Sequence, residues 1–260
     1  MSKWEPTGLV SPLPIPENCT PSNVASVWMP VGHISPVSPP LDITGVPLVD
    51  TLEASTFVTQ KRASEHASGR YALATLLREI GYNPADLRIV RNEYRKPILE
   101  WKDTGNRTQE CASSAPSPLP DITISHSNGI AIAAVSLDGS LIGLDAEPLN
   151  ISRSKNLLTM MASGEELQHL EKTWAKDELM GVQESNRTWV MKEAVQKACG
   201  LGMHISPQSF SVLNRDRVLV SHQHVEYHLE VFHWRELLDD RPFVFGFSRL
   251  NEDVNSNWNP

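Results

Sequence analysis

Two carboxylates, Asp145 and Glu147, stand two residues apart at the end of the apolar run LIGLDAE. If that run is a strand, its period of two puts both on one face, where their mutual repulsion calls for a counter-charge. A hard cation such as Mg²⁺ is one candidate, because it accepts carboxylate oxygens while keeping waters that a phosphate can replace. A solvent-facing strand end would carry the same pair with no ligand at all. Downstream, WVMKEAVQKACG holds Glu193 and Lys197 at i and i+4 on one helix face, with Lys192 about 100° further round. That pair is either a surface contact of about 0.2–0.5 kcal/mol, or an acid and an ammonium placed to complete a metal site and neutralise a leaving phosphate. His126, ending DITISH before Asn128-Gly129, could cap a strand or donate to a phosphate oxygen. His222, His224 and His228 share strand parity, with His233 nearby, but no acid or cysteine stands at a fixed spacing to them. An exposed edge strand therefore fits them better than a metal site.

These groups need elements to hold them. Residues 1–50 contain ten of the 19 prolines. Proline fixes φ and removes a donor, so extended loop is expected there, with one short strand over 24–28. Helical period begins at Lys61 and runs through RASEHASGRYALATLLREI, with Tyr71, Leu73, Leu76, Leu77 and Ile80 as its apolar stripe and Gly81 as its stop. Residues 103–120, rich in Ser, Pro, Thr and Gly, show no period and are expected to form a loop excursion. DITISH, an Asn128-Gly129 turn, IAIAAVS, an Asp138-Gly139 turn and LIGLDAE together predict a three-stranded meander over 121–147. Ser163 with Glu166 three residues on predicts a capping box that opens a helix through Leu167, Leu170 and Trp174. A further helix is predicted from about Trp189 to Cys199, stopped by Gly200, and residues 209–249 alternate through four short strand candidates. Helices with antiparallel strands in both halves make this an α+β protein.

Composition narrows the function classes. The chain has 260 residues, 40% hydrophobic and 21% charged, which suits one large globular domain or two small ones. Its net charge of −8 is spread over both halves, with 11 basic and 14 acidic side chains in 1–140 and 12 and 17 in 141–260. A nucleic-acid or anionic-membrane binder would show a basic excess, so neither partner is expected. Cys19, Cys111 and Cys199 are odd in number and lack CxxC spacing, which suits unpaired thiols in a reducing compartment. No basic head followed by an apolar run opens the chain, and no apolar stretch approaches the ~20 residues of a membrane span, so a cytoplasmic protein is expected.

The order of the blocks adds what no single block carries. ISHSNGIAIAAVS, then IGLDAE, then WVMKEAVQKACG resembles the phosphopantetheinyl transferases of the larger, monomeric surfactin/enterobactin type. That family is marked by a Ser-His strand end, a G-[IVL]-D-x-E strand and a [FW]-x-x-K-E-[AS]-x-x-K helix. KRASEHASGRYALATLL, EYRKPIL and GLGMHISPQSFSV resemble the family's upstream helix, its Lys-Pro block and the segment after the KE helix, extending the likeness over residues 61–213. The departures are Val190, where many relatives carry Ser, Thr or Cys, and Ala146, where Ile or Val is commoner.

The resemblance implies a pseudo-dimeric α+β fold. Its halves, 1–140 and 141–260, would each set a helix against a three-stranded antiparallel sheet, with coenzyme A between them. It implies Mg²⁺-dependent transfer of 4′-phosphopantetheine from coenzyme A to a serine of an apo acyl, peptidyl or aryl carrier protein, releasing 3′,5′-ADP, the reaction of a holo-acyl-carrier-protein synthase. Asp145, Glu147 and Glu193 would hold the metal. Glu193, directly or through a metal-bound water, would take the serine proton, and Lys197 would neutralise the departing phosphate, with Asp145 as the third catalytic group. Lys61, Arg62, Arg70, Lys96, Ser125, His126, Lys192 and Lys197 would contact coenzyme A. A cytoplasmic monomer acting in secondary-metabolite synthesis is the implied setting. Two other classes compete, a metal-dependent phosphohydrolase of coenzyme A and a non-catalytic homologue that binds carrier protein or coenzyme A.

Overall fold

The computed structural model describes residues 2–17, 23–32, 41–102, 119–152 and 154–250. Cys19, Cys111 and most of the loop expected over 103–120 lie outside the described residues. Antiparallel sheets with helices against them make the α+β class, and the described residues divide into two compact units. The first holds residues 2–14, 23–32, 41–92, 97–102 and 119–139; the second holds 15–17, 93–96, 140–152 and 154–250. No helix among the described residues is long and apolar enough to cross a membrane.

In chain order the first unit contains β1 (Ser2–Lys3), β2 (Ser11–Pro12), β3 (Val24–Pro30), β4 (Leu41–Asp42), α1 (Thr51–Ala54), α2 (Gln60–Glu79), β5 (Leu87–Arg91), β6 (Pro97–Trp101), β7 (Asp121–Ser127) and β8 (Ile130–Ser136). The proline-rich start thus holds more strand than the one short piece expected, although β1, β2 and β4 are two residues each. Its main sheet has the order β2-β3-β8-β7, beside a β5-β6 hairpin and a parallel β1-β4 pair. Asn128 and Gly129, at φ 43° and 84°, form the tight turn that joins β7 to β8. The α2 stripe packs as its period requires: Leu73, Leu76 and Leu77 are buried among Val27, Met29, Ile122, Ala131 and Val135, with Tyr71 and Ile80 at the margin.

The second unit contains β9 (Ile142–Pro148), α3 (Leu158–Met161), α4 (Gly164–Lys176), α5 (Glu178–Cys199), β10 (Arg217–His222), β11 (Val225–Leu238) and β12 (Arg241–Leu250). Its sheet, β10-β11-β12-β9, corrects the meander expected over 121–147. β9 does not pair with β8, whose two edges are taken by β3 and β7; it pairs with β12, Ile142 opposite Arg249 and Asp145 opposite Gly246. Both main sheets have four strands instead of three.

Three further differences concern this unit. The four short strands expected over 209–249 are three, because alternation continues unbroken through the 14 residues of β11. The turns beside it lack glycine: Gln223 and His224 have φ 48° and 70°, Asp239 and Asp240 have 52° and 57°. His222 and His228 therefore stand on different strands, with His224 in the turn between, and the parity that linked them dissolves.

The helix expected from Trp189 begins eleven residues earlier, at Glu178, capped by the Asp177 carboxylate, which accepts from the Met180 N–H at 2.9 Å. Its first half looked polar because Ser185 and Asn186 are buried: Ser185 accepts from the Trp174 indole at 2.7 Å, and Asn186 donates to the carbonyls of Pro148, Leu149 and Ile151. Those last bonds tie the residues after β9 to α5.

The capping box of α4 is not made. Ser163 occupies the cap position but donates to the Gln208 carbonyl, and Glu166 turns into the core. There it meets Lys192, whose side chain is 0% exposed, at 2.7 Å. The Lys192 ammonium also donates to the carbonyls of Pro207 and Phe210 and lies 4.7 Å from the Phe210 ring centre. Burial pushes that ammonium below the ordinary lysine range, and the Glu166 carboxylate opposes the shift. The Lys192 side chain, expected to contact coenzyme A, joins α4, α5 and the 207–210 segment from inside. Glu166→Ala should strand this ammonium and destabilise the protein by about 3–5 kcal/mol. The double change Glu166→Leu/Lys192→Met should recover most of that loss, read from denaturant midpoints.

Candidate active site

The site is built on the absence of two side chains. Gly143 on β9 and Gly246 on β12 face α5, and a Cβ at either would strike helix backbone. At Gly143 it would meet the Ala194 carbonyl and the Ala198 nitrogen; at Gly246, the Val190 carbonyl and the Met191 nitrogen. The helix thus lies directly on the two strands along its 190–194–198 ridge. Strand parity places Asp145 and Glu147 on the same face as Gly143, and Asp145 is also the cross-strand neighbour of Gly246. The opposite face is apolar: Leu144 and Ala146 are buried opposite Phe247 and Phe245, and Trp234 stacks on Phe245 at 5.0 Å.

With helix and strand in contact, Lys197 reaches the carboxylate pair. Its ammonium donates to Asp145 Oδ1 at 2.7 Å and to the Leu144 carbonyl at 3.2 Å. The Asp145 side chain is 7% exposed and that of Lys197 24%, so the pair sits at the edge of solvent. Glu147 and Glu193 are half-buried. Among the described residues no three His, Cys, Asp or Glu side chains gather in a metal-holding cluster. The donor set still fits a hard cation of the Mg²⁺ kind, which takes one or two carboxylates and fills its remaining positions with water and phosphate oxygens. Asp145 and Glu147, side by side on one strand face, supply such a pair.

Lys96 belongs to this unit as well. It lies where β5 turns into β6, and its stem covers the end of α5: a Cβ at Gly200 would come 2.8 Å from Lys96 Cδ. Gly200, at φ 72°, stops the helix one turn beyond Lys197.

The other expected contacts are in the first unit. His126 ends β7 on the face that meets α2, where its Nε2 is 3.1 Å from the Arg62 guanidinium and its Nδ1 3.6 Å from the Glu65 carboxylate. Glu65 also faces the exposed Lys61 ammonium at 3.9 Å, and burial pushes its carboxyl up. Ser125 is buried and, by alternation, turned to the other side of β7 from His126. Arg70 is 4% exposed. Its guanidinium stands 3.6 Å from Glu53, which also binds Arg91 and lies 3.9 Å from His66. Burial, aided by Arg70, holds the His66 imidazole down to about 4.

Glu166, Asn186, Gly143, Gly246, Glu53 and Glu65 are the supporting residues that sequence reasoning missed. Only the two glycines carried a usable signal, since Gly inside a strand marks close approach of another backbone.

Residues 141–246 match the family model of the 4′-phosphopantetheinyl transferase superfamily. The matched segment contains Asp145, Glu147, Glu193 and Lys197. No curated protein matches the chain.

Two outcomes test this geometry. Gly246→Ala should push α5 off the sheet, lower stability by about 1–3 kcal/mol and abolish whatever activity depends on Lys197 reaching Asp145; thermal unfolding and the ligand-binding assay described below read the two effects. His66 is neutral when folded yet ordinary when unfolded, so the unfolded chain binds the extra proton between pH 6.5 and about 4. Stability should therefore fall as pH drops through that window, by up to about 3 kcal/mol. His66→Gln should flatten that part of the urea-midpoint curve between pH 7 and pH 4.

Proposed function

We propose, from the match over 141–246 and the lysine–carboxylate cluster it contains, that this chain transfers 4′-phosphopantetheine from coenzyme A to a serine of an apo carrier protein. The observation that carries the reading is the Lys197–Asp145 contact on the strand face shared with Glu147. It sets an ammonium beside a pair of carboxylates, a combination suited to a pyrophosphate and a cation.

In the reaction the serine oxygen attacks the β-phosphorus of coenzyme A. The new P–O bond forms as the bond to the bridging oxygen breaks, and 3′,5′-ADP departs with that electron pair. Glu193 accepts the serine proton. Lys197 faces the charge that grows on the leaving phosphate, so its attraction is stronger in the transition state than in bound coenzyme A. Asp145 and Glu147, with Glu193, would hold Mg²⁺, whose contribution when bound is to neutralise phosphate charge. Lys96, in the same unit, supplies a further phosphate contact.

The test is to incubate the protein with coenzyme A, Mg²⁺ and apo carrier proteins of acyl, peptidyl and aryl type, and to weigh the carriers. A gain of one phosphopantetheine supports transfer. Coenzyme A breakdown without that gain points to hydrolysis, and no change in either points to a binding module. Lys197→Ala should lower kcat by ~10²–10³, with a smaller change in coenzyme A affinity. A surface ion pair would leave kcat unaltered.

A further inference from the structure

The turn between β5 and β6 is strained and anchored at the same point. Arg95 has φ 70°, a left-handed conformation that costs a non-glycine residue about 1–2 kcal/mol. Such strain persists only where the surroundings over-determine it. The residues on either side show what does so. Tyr94 is clasped between two imidazoles, His204 at 5.1 Å and 70° and His222 at 5.8 Å and 90°, both in edge-to-face geometry. The ring also packs against the core that contains Cys199, Leu201, Val218 and Val220. Lys96, two residues on and past the left-handed turn, lays its stem on Gly200 at the end of α5. Its ammonium is near enough to Cys199 to oppose the burial that pushes that thiol up to about 12. Gly200 suits this place through its positive φ, and the lysine stem lies directly over it.

We propose that Tyr94 is a positioning residue: the ring, locked between His204 and His222, holds the 93–96 turn so that Lys96 presents its ammonium at the end of α5, one helical turn from Lys197, toward the same phosphate-bearing ligand. The inference rests on the reading that Lys96 contacts that ligand, and adds what places it. A four-carbon stem with free rotamers would otherwise lose conformational entropy on binding, and the Tyr94 clasp with the Gly200 bed removes part of that freedom beforehand.

A double-mutant cycle tests it with 3′,5′-ADP as the titrant, bound by the full chain in a calorimeter. Lys96→Ala should weaken binding by about tenfold or more, as loss of one charge-assisted contact does. Tyr94→Ala should weaken it by a comparable factor, and the double variant should be no weaker than Lys96→Ala alone, because the two act as one unit. Tyr94→Phe, which keeps the ring, should restore most of the affinity. If Tyr94→Ala fails to fold, Tyr94→Leu takes its place in the cycle. Additive losses, or wild-type affinity in the Tyr94 variant beside a weakened Lys96→Ala, would overturn the positioning role and leave Lys96 at the phosphates. Wild-type affinity in Lys96→Ala would remove Lys96 from the ligand, and the role of Tyr94 with it.

Discussion

Everything chemical in the second unit depends on how closely a helix can lie on a sheet. Ordinary side chains hold the backbones of packed layers apart. At Gly143 and Gly246 there is no side chain to do so, and the backbone of α5 settles against β9 and β12. That contact brings Lys197 to the Asp145 carboxylate and to the Leu144 carbonyl at the strand's own backbone. With alanine at either glycine, the ammonium and the carboxylate would belong to two separate surfaces.

The same helix distributes its charges by depth. Lys192 and Glu193 are sequence neighbours with opposite surroundings, the lysine sealed inside against Glu166 and the glutamate half-buried at the site. A buried ion pair adds little net stability over an apolar pair, but breaking it is costly, so it fixes one arrangement of α4, α5 and the 207–212 segment. Glu166 strengthens this by also accepting from the Val212 N–H at 2.8 Å. The Glu193 side of α5 is held from behind by this buried pair.

Much of this was legible in the residues. The stripe of α2, the Asn128-Gly129 turn, the strand parity of Asp145 and Glu147, and the placing of Glu193 and Lys197 on one helix follow from local turn chemistry and from periodicities of two and 3.6. What was not legible has a common cause, in that local rules do not say which partner an edge finds. LIGLDAE reads as the third strand of a meander, yet β8 is flanked by β3 and β7 and β9 joins β12 instead. Glu166 reads as half of a capping box because the box is local, whereas its real partner lies 26 residues away on another helix. Ser185 and Asn186 lie in the part of α5 before Trp189, which the sequence leaves outside the helix, and their burial and hydrogen bonds are tertiary facts. Gln223-His224 and Asp239-Asp240 turn without glycine, so the strands between them were cut in the wrong places. The carboxylates that face Lys192 and Arg70 were not legible either, because a cation in a motif does not announce which acid of the chain will pair with it.

The pairing of β9 has a consequence for how the molecule comes together. β10, β11 and β12 are joined by tight turns, so their contacts close over short stretches of chain and need little loop entropy. β9 pairs with β12 from about a hundred residues upstream, Ile142 meeting Arg249. It is the non-local strand of its sheet, of the kind whose pairing slows folding. The carboxylates ride on that strand and the lysine on the helix it must slide beneath. A chain that has formed its hairpins and its helix still has no site; the charges meet only when the most distant strand docks, and their meeting marks the completion of the unit.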